Sequence, residues 1–98
     1  MANSRKKNKT KAEKLHLSKV AALGCMACRI IGYEDTPAEL HHIRSGVGMG
    51  QRNDNYHVIG LCAGHHRHNK NAIHQSKVNF ERDFGTELEL LEMVNNEL

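Results

Sequence analysis

Hydrophobic residues near the start of the chain recur at the spacing expected of a helix. They are Leu15, Val20 and Leu23, with Leu17 and several alanines between them, and lysines fill other positions. Gly24 follows at once, and glycine commonly ends a helix because it tolerates a left-handed backbone. We therefore predict an amphipathic helix that begins at Lys11 and delivers the chain directly into Cys25.

Two later segments favour β-strands joined as an antiparallel hairpin. Residues 38–43 and 56–61 are short and rich in apolar residues, and a polar, glycine-containing loop separates them. Side chains alternate between the two faces of a strand. We therefore expect His41 to lie on one face of the first strand and His42 on the other.

Smaller features are predicted around this hairpin. Residues 29–31 favour a short strand that leaves the Cys25 region, and residues 34–37 favour a loop. Gly60 lies inside the second strand, where glycine often marks a bulge or a close backbone approach. We expect a bulge there.

The C-terminal third predicts two helices. The first runs from Gln75 or Ser76 to Phe84, and the second begins at Thr86, which forms a capping box with Glu89. The apolar stripe of the last helix is either Leu88, Leu91 and Val94, or Leu90 and Val94. Together with the hairpin, these helices predict an α+β domain.

The composition indicates that the hydrophobic core alone does not stabilise this domain. The 98 residues include four aromatic side chains other than histidine and no tryptophan, and small cores of this kind are usually supported by metals, disulfides or oligomerisation. Three cysteines, an odd number, argue against a disulfide framework. The chain has no apolar run of about 18 residues, and its charged N-terminal residues lack the apolar segment that is typical of a secretory signal. We therefore expect no membrane contact and an intracellular, reducing location.

Charge is distributed unevenly along the chain. Residues 1–20 carry seven basic residues against Glu13 alone, a net charge of +6, whereas the remainder carries seven basic and ten acidic residues, a net charge of −3. We predict a basic arm over residues 1–14, disordered up to Thr10, and a folded domain over residues 15–98. A basic arm is typical of proteins that bind nucleic acid, and a solubilising tail is the alternative. The candidate phosphate contacts are Arg5, Lys6, Lys7, Lys9, Lys11, Arg44 and Arg52.

Cysteines and one histidine have the spacing of a structural zinc site. Cys25 and Cys28 form one CxxC knuckle, and Cys62 and His65 form a CxxH knuckle. Three thiolates and one imidazole make a closed tetrahedral set with no open position for chemistry. The alternative is a buried free cysteine with surface histidines.

The remaining motifs, taken together, resemble a known family. The CxxC knuckle, the His41-His42-Ile43 strand, the glycine-containing loop, an asparagine and the Leu61-Cys62-x-x-x-His66 element are similar to HNH endonucleases, also called ββα-metal or His-Me finger nucleases. The likeness is to their zinc-knuckled branch, with His65 in place of the fourth cysteine. Ala72-Ile73-His74 and residues 77–86 further resemble phage recombination-enhancement nucleases. The resemblance covers roughly residues 15–90 and implies a small zinc-stapled ββα-metal domain with flanking helices.

The resemblance implies roles for individual residues. His42 matches the general base, while His41 and His66 match ligands of a catalytic divalent ion. Asn55 matches the asparagine that orients the base, with Asn53 as the alternative. His74, His68 and Asn69 are candidates to complete the metal site, and a surface or core position is the alternative for His74. His65 and His66 can also exchange roles between the two metal sites.

The activity that the resemblance implies is metal-dependent hydrolysis of DNA phosphodiester bonds, leaving 5′-phosphate and 3′-hydroxyl ends. Mg²⁺ or Mn²⁺ would be the usual ion, and histidine ligands also permit Zn²⁺, Co²⁺ or Ni²⁺. The expected location is the cytoplasm of a bacterial host cell, with a role in phage recombination. One alternative is a non-catalytic zinc-dependent nucleic-acid-binding module. A further hypothesis is that the basic arm docks on a recombinase filament.

Overall fold

The computed structural model describes residues 8–47 and 53–98, and within them the fold is a two-stranded sheet surrounded by helices. The elements are α1 (Lys11–Leu23), α2 (Met26–Ile30), β1 (Glu39–His42), β2 (Val58–Leu61), a π-helical turn (Gly64–His68), α3 (Lys77–Asp83) and α4 (Glu87–Glu97). The predicted α+β class is confirmed. The candidate contacts Arg5, Lys6, Lys7 and Arg52 lie outside the described residues.

Helix α1 has the predicted bounds because both of its ends are capped. The Thr10 hydroxyl accepts a hydrogen bond from the Glu13 backbone, and the Glu13 carboxylate accepts one from the Thr10 backbone, which is a capping box. Gly24 ends the helix at a φ of 79°. The predicted stripe is wrong at Leu15, which is 57% exposed, whereas Leu17 is buried. Residues 11–14 of the predicted arm are helical.

The predicted short strand at residues 29–31 is wrong, because Met26–Ile30 forms helix α2. Cys25 caps this helix, and its thiol accepts a hydrogen bond from the Cys28 backbone at 3.3 Å. The chain therefore turns tightly between the two cysteines of the CxxC knuckle, and both thiols lie at the start of one helix.

The hairpin is antiparallel, as predicted, with consecutive pairs from Glu39–Leu61 to His42–Val58. This regular register excludes a bulge at Gly60, so the predicted bulge is wrong. Gly60 instead allows a close approach, since a Cβ there would lie 2.6 Å from the Gly24 carbonyl oxygen. The end of α1 and the start of the knuckle thus pack directly on β2.

The hydrophobic core lies around β2, which is fully buried and contacts α1, α2 and α4. Helix α4 begins at the predicted capping box of Thr86 and Glu89. It buries Leu90, Leu91 and Val94, whereas Leu88 is 57% exposed. The apolar stripe of α4 is therefore the predicted alternative of Leu90 and Val94, and it also includes Leu91. None of the described helices is both long enough and apolar enough to span a bilayer.

Candidate metal centres and active site

The three cysteines and His65 converge on one point. All three cysteines are free thiols. His65 Nδ1 lies 3.6 Å from Cys25 Sγ, 3.5 Å from Cys28 Sγ and 3.3 Å from Cys62 Sγ. Cys28 Sγ lies 3.9 Å from Cys62 Sγ. With zinc–ligand bonds of about 2.3 Å to sulfur and about 2.0 Å to nitrogen, a tetrahedron has edges of roughly 3.5–3.8 Å. The cluster therefore has the size and the donor set of a tetrahedral metal site, and it could bind a metal such as zinc.

The ionisation of these groups depends on burial. Burial raises the pKa of Cys25 to about 12. Burial also opposes ionisation of Cys62, yet hydrogen bonds from the His65 backbone and the neighbouring thiols lower its pKa overall. Desolvation lowers the pKa of His65 and so favours the neutral imidazole that binds metals. Thiols that are costly to ionise in isolation are readily ionised by a bound cation, which supplies the missing charge.

A second cluster joins three histidines from separate parts of the fold. His41 Nδ1 lies 3.2 Å from His66 Nε2, and His74 Nε2 lies 3.0 Å from the same His66 nitrogen. The three donor nitrogens lie within 4.8 Å of one another. Adjacent nitrogen ligands at about 2.0–2.1 Å from an ion are roughly 2.8–3.4 Å apart, the shorter distances in octahedral and the longer in tetrahedral shells. The cluster thus has the dimensions of a three-imidazole metal site.

The π-helical turn separates the two adjacent histidines of the second pair. The side chains of neighbouring residues point in different directions around the axis of this turn, so His65 faces the cysteines while His66 faces His41. The loop after the turn folds back, with backbone hydrogen bonds from Ile73 to His65 and from His74 to His66. This return brings the His74 side chain to the cluster. Its imidazole has a lowered pKa, caused by desolvation and then by the neighbouring His41 and His66.

Glu87 holds the far side of the His41 ring. Its Oε2 accepts a hydrogen bond from His41 Nε2 at 2.7 Å, and the two side chains are 2% and 3% exposed. Its Oε1 accepts hydrogen bonds from the backbones of Arg44 and Ser45 and from the Ser45 hydroxyl. Burial alone would raise the pKa of Glu87, but these donors lower it to about 2. Glu87 is therefore a buried carboxylate anion.

Glu39 holds the far side of the His66 ring in the same way. Its Oε1 accepts a hydrogen bond from His66 Nδ1 at 2.7 Å. The Arg67 guanidinium contacts both carboxylate oxygens of Glu39. Hydrogen bonds from Arg67 and then from His66 lower the pKa of Glu39 to about 2. Two carboxylates thus orient two of the three rings, a common arrangement behind metal-binding histidines.

These contacts define which ring nitrogens are available to an ion. A carboxylate accepts hydrogen bonds, so the ring nitrogen facing it carries the proton. In the neutral rings, His41 Nδ1 and His66 Nε2 therefore both present lone pairs, and these face each other across 3.2 Å. A cation between them removes the repulsion. Because His74 converges on the same point, the arrangement suits a divalent ion better than one shared proton.

His42 lies next to a polar chain that runs toward α1. Its Nε2 contacts Asn55 Oδ1 at 2.9 Å, and Asn55 Nδ2 donates a hydrogen bond to Glu13 Oε2 at 3.4 Å. The amide oxygen of asparagine only accepts, so His42 carries its proton on Nε2 and its basic nitrogen is Nδ1. Asn53, the alternative to Asn55, instead donates to the carbonyls of Ile43 and Ser45. The two asparagines therefore have different contacts, and only Asn55 reaches the His42 ring.

The described candidate phosphate contacts lie on the surface. Lys9, Lys11 and Arg44 are exposed, and the Arg44 backbone is bound to Glu87, beside the histidine cluster. The first turn of α1 lies close to His42, because Glu13 contacts Asn55. The basic residues on this turn therefore belong to the same part of the fold as His42.

Residues 9–98 match the family described as "Recombination enhancement, RecA-dependent nuclease", which leaves out only the first eight residues. The chain belongs to this family of recombination-enhancement nucleases. No curated protein sequence is significantly similar to it. The resemblance to recombination-enhancement nucleases is confirmed at the level of the family, whose name specifies nuclease activity, and hence a nucleic-acid substrate, and a dependence on RecA.

Sequence reasoning missed the carboxylates that orient the histidines of this family member. Glu39 precedes His41 by two residues on β1 and so shares its face, a signal that was present in the sequence. Glu87 is 46 residues from His41, and only folding reveals the contact. His68 and Asn69, which were candidates to complete the metal site, lie outside the histidine cluster. His68 contacts Arg67, and Asn69 packs against Gly64.

Proposed function

We propose that the chain is a metal-dependent DNA endonuclease of the HNH, or ββα-metal, type. The observation that carries this proposal is the convergence of His41, His66 and His74, two of them held from behind by carboxylates. A binding module stapled by zinc needs only the cysteine cluster. A second cluster with room for further ligands is instead expected of an enzyme that acts on phosphates.

The histidine cluster would hold the catalytic divalent ion through His41 Nδ1, His66 Nε2 and His74 Nε2. When bound, such an ion neutralises charge on the scissile phosphate and stabilises the leaving oxygen. Imidazole ligands suit borderline transition ions better than Mg²⁺. We therefore propose that Mn²⁺, Co²⁺, Ni²⁺ or Zn²⁺ binds here more tightly than Mg²⁺. The cysteine cluster would hold a structural Zn²⁺.

His42 is the proposed general base. Asn55 Oδ1 accepts a hydrogen bond from the His42 Nε2–H group, so Nδ1 is the nitrogen that takes a proton from the attacking water. Asn55 is thereby the residue that fixes the ring and its tautomer. His41 and His42 diverge from neighbouring positions at the end of β1, and we place the scissile phosphate at this end of the strand.

DNA would be held by positive charge on the N-terminal part of the chain. The basic residues of the arm and α1, with Arg44 and Arg52, would contact phosphates without reading sequence. The RecA dependence in the family's name supports a recombinase filament as the partner. We propose that this filament presents the DNA that is cleaved.

Replacement of His42 by alanine tests the proposed base. We expect His42→Ala to lower the rate of DNA cleavage by roughly 10²- to 10⁴-fold while its circular dichroism and zinc content stay unchanged. Cleavage is measured with Mn²⁺ or Mg²⁺, on DNA alone and on DNA paired with a RecA filament. His68→Ala, at an exposed histidine outside both clusters, is the matched control and should cleave at the wild-type rate.

Two results would contradict the proposal. Undiminished cleavage by His42→Ala would exclude His42 as the base. A wild-type chain that binds one zinc and DNA, yet never cleaves even with the RecA filament and Mn²⁺, would instead identify a non-catalytic zinc-dependent binding module.

A further inference from the structure

Glu87 is unusual because it is a charged side chain enclosed within a small domain. The residue is 1% exposed and begins helix α4. A buried carboxylate is costly unless hydrogen bonds replace its water. Here four donors do so, from His41, from the Arg44 backbone and from the backbone and hydroxyl of Ser45. The fold therefore supplies the hydrogen bonds that this buried carboxylate would otherwise make to water.

The two oxygens of Glu87 contact different parts of the site. Oε2 accepts a hydrogen bond from the His41 Nε2–H group, which leaves the Nδ1 lone pair directed toward His66 and His74. Oε1 holds the backbone at residues 44 and 45, where the loop between β1 and β2 begins. One carboxylate thereby determines both the tautomer of a candidate ligand and the path of the adjoining loop.

Glu39 provides a natural comparison on the neighbouring ring. Its side chain is 35% exposed, and it binds His66 through Oε1 and Arg67 through both carboxylate oxygens. Water can replace part of the hydrogen bonding of an exposed carboxylate, whereas the His41–Glu87 contact is almost completely shielded from solvent. The buried contact is therefore the stronger constraint on ring tautomer.

We propose that Glu87 is the positioning residue of the histidine metal site, which it prepares by holding His41 with the proton on Nε2. The inference rests on the proposed metal binding at His41, and it goes beyond it by assigning a role to a residue of the C-terminal helix. Helix α4 is then required for metal affinity as well as for the core.

Glu87→Gln tests the assignment with almost no change of shape. If the amide oxygen stays on the backbone donors of residues 44 and 45, the amide NH₂ faces His41 and requires an acceptor there. The proton then moves to His41 Nδ1, which can no longer bind a metal as a neutral ligand. We expect Co²⁺ to bind the histidine site roughly 10- to 100-fold more weakly, as measured by titration of the zinc-loaded full-length chain.

Two measurements separate this role from a general loss of structure. Long-range ¹⁵N–¹H correlation spectra report which His41 nitrogen carries the proton, and we expect Nε2 in the wild type and Nδ1 in Glu87→Gln. Glu92→Gln, at an exposed position of the same helix, is the matched control and should keep wild-type Co²⁺ affinity.

A wild-type ring protonated on Nδ1, or a folded Glu87→Gln variant with unchanged Co²⁺ affinity, would overturn the proposal. Both readouts are independent of DNA cleavage. If the wild type binds Co²⁺ at the histidines and Glu87→Gln weakens this binding, but no cleavage occurs, the nuclease proposal fails while the assignment of Glu87 stands. If the wild type binds no Co²⁺ there, the metal site and the assignment fail together.

Discussion

The adjacent histidines His65 and His66 have different partners, because each side chain points in its own direction. His65 contacts three sulfurs, whereas His66 contacts two other histidines and Glu39. The sequence alone left the two residues interchangeable, because both fit the ligand spacing. The direction of each ring follows from the π-helical turn, and a turn of that kind has no clear sequence signature.

Asn55 offers a test at the same scale. Its removal deprives the His42 ring of one hydrogen bond, and we expect Asn55→Ala to slow cleavage about tenfold, equivalent to about 1.4 kcal/mol. Asn53→Ala is the matched control, since among the described residues the Asn53 side chain contacts backbone groups, namely the carbonyls of Ile43 and Ser45 and the N–H of Asp54. It should lower thermal stability and leave the cleavage rate of the folded protein unchanged. Equal rates for both variants would remove Asn55 from the mechanism.

At the scale of elements, the hairpin and α1 are joined by the contact between Gly24 and Gly60. A Cβ at Gly60 would meet the Gly24 carbonyl oxygen at 2.6 Å and the Ala38 side chain at 3.1 Å. The Gly24 backbone is held in turn by its hydrogen bond to Ala21. Because Cys25 follows Gly24 directly, any shift of the Gly24 backbone also moves the first of the four proposed zinc ligands.

We therefore expect Gly60→Ala to lower the free energy of unfolding by about 1–3 kcal/mol and to weaken zinc binding in competition with a chelator. Gly46→Ala is the control. It places a side chain at a φ of +85°, which is strained, yet within residues 8–47 and 53–98 this side chain would meet no atom closer than 4 Å. It should lower stability without changing zinc affinity. Unchanged zinc affinity in Gly60→Ala would show that the contact does not position Cys25.

The elements also show what periodicity can and cannot predict. The positions of capping residues and glycines correctly predicted α1 and the start of α4. The helix at 26–30 was missed because Arg29, Ile30 and Ile31 are a strand-like run, and the Cys25 cap overrides that preference. Leu15 and Leu88 were placed in apolar stripes yet are exposed, since spacing alone does not define which face meets the core.

At the scale of the whole molecule, two clusters connect distant parts of the chain. The cysteine cluster joins the start of α2 to the end of β2, and the histidine cluster joins β1 to the π turn and, through Glu87, to α4. In a domain with few aromatic side chains, metal binding at the first cluster would contribute to folding itself. The second cluster would then be held on a scaffold that the first one stabilises.

The central claim is that these two clusters bind two separate ions, and anomalous scattering tests it most directly. Crystals of the zinc-loaded chain soaked in Mn²⁺ are measured on both sides of the zinc and manganese absorption edges. The account predicts a zinc peak among Cys25, Cys28, Cys62 and His65, and a second metal peak, bound through His41 Nδ1, among His41, His66 and His74. A single ion at the cysteines, with no anomalous peak at the three histidines, would contradict it.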